Sequence, residues 1–210
     1  PVALEPLAAD AFPLALPGGF TFAGGARLDL HGGRLAQPAA LSLPAPAGLA
    51  SGTSVLLVRV SEIDGASQLE LVATGQLAAG RLVASLAGLP LPGGVEGCRL
   101  AFLAAPTPLA FVSGTVTDSG GAVPGALARV EGLPFVARTD SQGHFALAAP
   151  PGNAVVSALE LSTRDLARAS ASVVAGGPAA AVDLELARTA PRVLALVPAD
   201  GALGVPFLSV

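Results

Sequence analysis

The stretch from Ser113 to Leu159 decides the fold, and it reads SGTVTDSGGAVPGALARVEGLPFVARTDSQGHFALAAPPGNAVVSAL. Three turn sequences divide it: DSGG at 118–121, TDSQG at 139–143 and PPGN at 150–153. Between them, apolar residues recur at every second position, as in Phe145, Leu147 and Ala149. A period of two, broken by glycine- and proline-rich turns, is typical of short β-strands. The stretch therefore predicts short strands of a sandwich or barrel, with Phe145 in the core and Gly143 at positive φ.

The same pattern continues on both sides. Between residues 110 and 187 we predict about seven strands, the last of them alternating as Val182, Leu184 and Leu186 against Asp183 and Glu185. Earlier, strands are predicted at 55–60, 67–74, 81–86 and 98–103, separated by glycine turns typical of antiparallel meanders. The fold class that follows is all-β, with tandem antiparallel β-sandwich domains.

Changes in pattern divide the chain into three parts. Residues 1–106 form an N-terminal β domain, a sandwich or a barrel-like structure. A short proline-containing linker at 104–109 leads to a second β-sandwich over 107–188. Residues 189–210 are interpreted as a linker and the first strand of an incomplete domain.

The second sandwich resembles a known family, the carboxypeptidase-regulatory-like domains. The matching positions are Gly114, Val116, Asp118, Pro124 to Ala126, Thr139, Asp140, Gly143, Phe145, Leu147, Pro151 and Gly152. An aromatic residue usually follows the PPG turn in that family, whereas this chain has Ala154. The resemblance implies a seven-stranded, transthyretin-like, non-catalytic module, common in extracellular bacterial proteins and beside peptidase domains. Residues 190–206 are similar to the opening of a bacterial immunoglobulin-like domain.

Composition excludes several classes of protein. The chain is 52% hydrophobic and 12% charged over 210 residues, unlike disordered segments. Its net charge is −4, all its basic residues are arginines, and these are dispersed along the sequence, so nucleic acid is not an expected partner. The longest uncharged run before Arg59 holds Pro38, Pro44 and Pro46, so we expect no membrane span. Starting at Pro1 without a signal peptide, the chain is interpreted as a fragment or a processed product.

Catalytic residue patterns are sparse. His31 in LDLHGGR is interpreted as an exposed turn residue, and no G-x-S-x-G nucleophile elbow accompanies its His-Gly-Gly string. His144 follows Asp140 and Ser141, but a triad needs residues converged by the fold rather than gathered on one turn. We therefore predict no enzymatic activity and no catalytic residues.

Metal and cofactor patterns are equally sparse. Asp118 and Asp140 lie in turns and are interpreted as caps of those turns rather than as Ca²⁺ ligands. No zinc spacing or dinucleotide fingerprint occurs, so no metal or cofactor is expected. Cys98 alternates with apolar positions and is interpreted as a small buried hydrophobe. Phe20 and Phe22 are predicted to face a core together rather than to form a binding platform.

Three functions are consistent with these observations. The first is a stalk, spacer or scaffold module of a secreted or cell-surface bacterial protein. The second is a subunit of an extracellular filament, assembled by β-strand addition through residues 191–210, whose strand is apolar on both faces. The third is an accessory domain of a secreted hydrolase. The expected partners are other protein domains or copies of this chain, in an extracellular or cell-surface location.

Overall fold

A computed structural model of the chain describes residues 3–39, 41–86 and 88–187. These residues form eighteen β-strands and one short 3-10 helix, Ala9–Ala11, so the predicted all-β class is confirmed. The predicted start of an immunoglobulin-like domain, and the tail at 191–210, lie outside the described residues.

Nine strands precede the predicted boundary at residue 106. They are β1 (Ala3–Leu7), β2 (Thr21–Asp29), β3 (Arg34–Ala39), β4 (Ser42–Pro44), β5 (Val55–Ile63), β6 (Ala66–Ala78), β7 (Arg81–Ser85), β8 (Gly94–Glu96) and β9 (Cys98–Ala104). The four predicted strands correspond to β5, β6, β7 and β9. Strands β5 and β6 are longer than predicted because Asp64 and Gly65, with φ of 55° and 76°, join them in a two-residue hairpin turn.

Nine further strands follow the boundary. They are β10 (Ala110–Asp118), β11 (Gly121–Ala122), β12 (Leu127–Val130), β13 (Phe135–Arg138), β14 (His144–Ala149), β15 (Gly152–Leu159), β16 (Leu166–Val173), β17 (Ala180–Ala181) and β18 (Leu184–Glu185). Residues 182–187 alternate between buried and exposed, as the sequence predicts. The sequence pattern does not predict strand β13, since Phe135 to Ala137 are all apolar and show no alternation.

The largest sheet crosses the predicted domain boundary. Its main path runs β1-β2-β9-β5-β6-β13-β12-β15-β16, and β7 with β4 extends it beside β6. The join between the two parts of the chain is the parallel pair β6–β13, in which Phe135 lies opposite Leu69 and Val136 opposite Glu70. The predicted antiparallel arrangement therefore holds for most pairs, whereas this join is parallel.

A second sheet is built around β10. Strand β10 pairs with β14 and β11 in antiparallel fashion, and with β17 and β18 in parallel fashion. Gly114 in β10 leaves room for the chain between β17 and β18, since a Cβ at that position would lie 1.6 Å from the Val182 carbonyl oxygen. A small two-stranded sheet, β3–β8, lies apart from these two.

The buried hydrophobic residues of the described chain form three large cores and a small fourth cluster around Ile63. The second-region core joins β10 and β14 to β12, β15 and β16, and Phe145, fully buried, lies in it as predicted. The first-region core lies on β2, β5 and β9 around Phe102. Between them, a shared core brings Leu56 and Leu103 of the first part together with Phe135 and Ala146 of the second.

Strand β14 lies between two cores. Phe145, Leu147 and Ala149 face the second-region core, whereas Ala146 and Ala148 face the shared core. The connection between β9 and β10 is anchored at both ends, since Ala105 N donates to Ser54 O (2.9 Å) and Leu109 N donates to Ser54 Oγ (3.0 Å). The predicted linker is therefore held against the first part of the chain.

Candidate functional site

Five of the eleven arginines line two adjoining cavities at one end of the large sheet. The cavities have volumes of about 680 Å³ and 410 Å³ and share four lining residues. The arginines are Arg27, Arg34 and Arg99 in the larger cavity and Arg59 and Arg138 in the smaller one. Dispersed in sequence, these arginines are gathered by the fold.

The larger cavity, called here the arginine cleft, is built on β2, β5 and β9. Arg27 and Arg99 are register partners in the antiparallel pair β2–β9, and both side chains are exposed. Their neighbours Leu28 and Leu100 are buried in the first-region core. Because side chains alternate along a strand, both guanidinium groups extend from the opposite face of the sheet.

The smaller cavity lies beside a buried ion cluster. Glu70 is fully buried on β6, opposite Arg59 on β5. Arg59 donates from Nε to Oε2 and from Nη2 to Oε1, each over 3.0 Å, and Ser61 Oγ donates to Oε2 over 2.7 Å. Arg138 on β13 adds an ion pair, with its Nε 3.8 Å from Oε2. A buried carboxylate with several charge-assisted partners is stabilised where an unpaired one would not be.

This ion cluster connects the two parts of the chain. Arg59 and Ser61 belong to β5, Glu70 belongs to β6, and Arg138 belongs to β13 beyond the predicted boundary. Glu70 lies at the parallel β6–β13 join, opposite Val136. The cluster therefore binds the first and second regions by side chains at the same place where their backbones pair.

The His31 turn borders the arginine cleft. His31 is exposed at φ 53°, as expected of a turn residue, and its backbone N–H donates to Asp29 Oδ1 over 2.7 Å. That hydrogen bond, with the charges of His31 and Arg27, lowers the pKa of Asp29 against the opposing effect of desolvation. Asp29 is therefore a carboxylate on the cleft wall, beside the two opposed arginines.

The candidate triad of Asp140, Ser141 and His144 remains a turn. Asp140 Oδ1 accepts hydrogen bonds from the backbone N–H groups of Gln142 (2.8 Å) and His144 (2.9 Å). The His144 ring nitrogen Nδ1 lies 3.4 Å from Asp140 Oδ2, while the Ser141 hydroxyl makes no hydrogen bond to any residue that the structure describes. The predicted capping role of Asp140 is confirmed.

Asp118 also caps its turn, with its Oδ1 accepting from Gly120 N over 2.6 Å. Across the described ranges, no group of three or more His, Cys, Asp and Glu side chains is placed to hold a metal ion. Gly143, predicted at positive φ, has φ 78°, and a Cβ there would lie 2.5 Å from Val116 O.

The prediction that Cys98 is buried is wrong in part. Cys98 packs against the first-region core but is only half-buried, and it lines both cavities. The reason is its position as the first residue of β9, directly after exposed Gly97. Phe20 and Phe22 do face one core, as predicted, since both pack in the shared core.

Sequence reasoning missed the arginine cleft. Arg27 and Arg99 are far apart in the chain, and a period-two pattern assigns a residue to a face without naming its cross-strand neighbour. The available signal was weaker: each arginine directly precedes a leucine in a predominantly apolar segment, GARLDL or CRLAFL. A charge at such a position predicts an exposed face but not what lies beside it.

Comparison with models of protein families gives no match, and comparison with curated proteins gives no relative. Among the described residues, none belongs to a helix long and apolar enough to cross a membrane.

Proposed function

We propose that this chain is a non-catalytic structural module, a spacer or scaffold, of a secreted or cell-surface bacterial protein. The observation that carries the proposal is the continuous sheet from β1 to β16, joined by the parallel β6–β13 pair. Domains linked only by a flexible segment move relative to each other. Backbone pairing across the boundary restricts such movement, which suits a part that holds other domains at a set separation.

Packing at the join supports the same proposal. The shared core brings Leu56 and Leu103 against Phe135, and Phe20 meets the Phe135 ring edge-on with centroids 5.0 Å apart. Aromatic pairs of this geometry add stability beyond the area that they bury. The buried Glu70 cluster adds directional contacts at the same place. A rigid two-part unit is thus supported by backbone, apolar and ionic interactions together.

The resemblance of residues 110–187 to carboxypeptidase-regulatory-like domains belongs to the same proposal. Gly114 and Gly143, two positions that carry it, are both needed by the fold, one for a close approach of Val182 and the other for positive φ. Modules of that family are non-catalytic and are common in extracellular bacterial proteins. An extracellular or cell-surface location is proposed on this basis.

Two measurements test the spacer function. Antibody labelling and protease treatment of intact source cells should find the chain outside the cell, and detection only inside the cytoplasm would contradict the proposal. In electron micrographs of the full-length protein, parts on either side of this module should keep one separation. Replacing residues 3–187 by a Gly/Ser linker of equal length should broaden that separation, because such linkers behave as flexible coils.

A filament subunit is the second candidate, favoured by the sequence of the tail. Val193, Ala195 and Val197 alternate with Arg192, Leu194 and Leu196, so this segment is apolar on both faces. Adding as a strand to a neighbouring chain would cover it. Deleting residues 191–210 should then convert assemblies into monomers in light scattering. If both chains are monomers at equal concentrations, the filament proposal fails and the spacer proposal remains.

An accessory domain of a secreted hydrolase is the third candidate. Its catalytic domain would lie outside the 210 residues of this chain. Translating the complete gene separates this candidate from the other two, since only it requires a catalytic domain in the same open reading frame.

A further inference from the structure

Two arginines face each other in the arginine cleft, and neither has a partner among the side chains that the structure describes. Arg27 and Arg99 are directly opposite in β2–β9, where Cβ atoms lie about 4.5–5.5 Å apart. Like charges at such positions destabilise a sheet. Neither guanidinium forms a hydrogen bond or an ion pair with any residue that the structure describes; the charge of Arg27 acts on Asp29 only over a distance.

Other arginines of the described chain are matched. The pairs are Arg59 with Glu70, Arg164 with Asp64 (2.8 Å), Arg168 with Glu131 (2.8 Å), and Arg81 with Ser42 (2.8 Å). Exposed carboxylates are therefore used as partners elsewhere on this surface, while the Arg27–Arg99 pair is left facing a cavity of about 680 Å³. A repulsive arrangement that borders a cavity is relieved when an anion enters it.

We propose that the arginine cleft binds a single oxyanion group, a carboxylate or a phosphate, between Arg27 and Arg99. Two guanidinium groups side by side offer several N–H donors to one anion, and bidentate contacts of this kind are the strong ones. Arg34 lines the same cavity from β3 and brings a third positive charge to it. Binding of this group needs only the charges and N–H donors of the cleft. The proposal therefore does not depend on the proposed spacer function.

The residues that line the cleft limit the charge of the rest of the ligand, beyond its oxyanion group. Asp29 lies two residues after Arg27 on β2, and Glu62 lies two residues after Val60 on β5. Both residues line the cavity. Their carboxylates repel a second negative charge, so the remainder of the ligand is neutral or cationic. Val60, half-buried on the same wall, offers a small apolar surface. The class of ligand is thus a small molecule with one oxyanion group, not a polyanion.

The test follows the Nε–Hε signals of the arginines in the ¹⁵N-labelled full chain by NMR. Sodium acetate and sodium phosphate are titrated separately, with ionic strength held constant by sodium chloride. We expect saturable shifts at Arg27 and Arg99, and Arg27→Gln or Arg99→Gln to weaken binding at least about tenfold, the scale of a charged hydrogen bond. Arg164→Gln, which removes the same charge from an exposed ion pair, should leave binding unchanged.

Two further variants and a thermal measurement sharpen the result. Arg99→Lys keeps the charge without the planar fork and should bind with intermediate affinity, which separates a binding role from a folding defect. Glu62→Gln should strengthen binding of acetate by removing a repulsive wall. The anion should also raise the thermal unfolding midpoint of the wild type more than that of Arg27→Gln.

Each outcome decides the proposal. Saturation by acetate alone identifies a carboxylate ligand, and saturation by phosphate alone identifies a phosphate ligand. Shifts that rise linearly without saturating overturn the proposal, as do shifts of equal size at Arg164 or binding that survives Arg27→Gln and Arg99→Gln.

Discussion

Arg59 holds the carboxylate of Glu70 with two parallel hydrogen bonds, Nε to Oε2 and Nη2 to Oε1, each 3.0 Å long. The Arg59 side chain is 13% exposed and that of Glu70 is not exposed at all. Removing one partner of a charged pair that is largely shielded from water is strongly destabilising. The pair lies at the join between the first and second regions, so the integrity of the whole unit depends on it.

Glu70→Ala should therefore lower the free energy of unfolding by about 3–5 kcal/mol, because it removes the buried carboxylate that Arg59, Ser61 and Arg138 all contact. Urea unfolding followed by circular dichroism measures this. The exposed strand residue Glu185 provides the control, since Glu185→Gln should change stability by no more than about 0.5 kcal/mol. A double variant, Arg59→Met with Glu70→Leu, should recover most of the loss, since apolar replacement of a buried pair is often neutral. Equal losses in the single and double variants would contradict this account.

Gly143 tests the effect of a Cβ in a crowded turn. Gly143→Ala adds left-handed backbone strain and places a Cβ 2.5 Å from Val116 O. Gly125 has a similar φ of 75° with open space around it, so Gly125→Ala adds the strain alone. We expect Gly143→Ala to be the more destabilising by about 1 kcal/mol or more in thermal unfolding. Equal effects would mean that the turn moves freely away from β10.

A substitution at Gly114 tests how β17 and β18 are held against β10. A Cβ at Gly114 would overlap the Val182 carbonyl, so Gly114→Ala should displace the chain between β17 and β18 from β10. The hydrogen bond from Val182 N to Ser113 O, 2.9 Å long, is the local reporter. Amide exchange at Val182 should become faster in the variant than exchange at the β10–β14 pairs. Unchanged protection at Val182 would show that the segment accommodates a methyl group.

Phe145 should be an anchor of the second-region core. It is fully buried, so Phe145→Ala should cost about 3–5 kcal/mol of unfolding free energy. Phe111, half-buried against the shared core, is the matched comparison, and Phe111→Ala should cost less. Chemical denaturation of both variants provides the measurement. A loss under about 1 kcal/mol at Phe145 would show that the core closes around the missing ring.

The ionisation of the Asp183 carboxyl makes the stability of the folded chain depend on pH. The Thr115 hydroxyl, and then the Thr115 backbone N–H, donate to its carboxylate and lower the pKa of Asp183. A lowered folded-state pKa contributes stability that is present above the unfolded pKa and is lost as pH falls through the folded pKa. Thr115→Val should raise the pKa of Asp183, measured by carboxyl ¹³C NMR titration. Thr117→Val, two residues along β10, should leave it unchanged, and equal shifts in both variants would exclude the hydroxyl as the cause.

The sequence alone determined the all-β class, several of the strands and the turns of the second region. The alternation at Phe145, Leu147 and Ala149 identified one buried face, and TDSQG identified a turn with Gly143 at positive φ. These features are local, because side chains alternate along a strand and glycine adopts positive φ at little cost. Burial of Phe145 follows from the same pattern. Local rules also placed His31 in an exposed turn.

Only the tertiary structure decided which strands are neighbours. The parallel β6–β13 join is formed by a strand that the sequence analysis did not predict, and it turns two regions into one continuous sheet. The opposition of Arg27 and Arg99, and the contact of Glu70 with Arg138, depend equally on pairings between distant segments. A period of two gives the face of each residue but is the same for every partner strand. Register across the sheet, and with it both the ion cluster and the arginine cleft, is set by the packing of the whole chain.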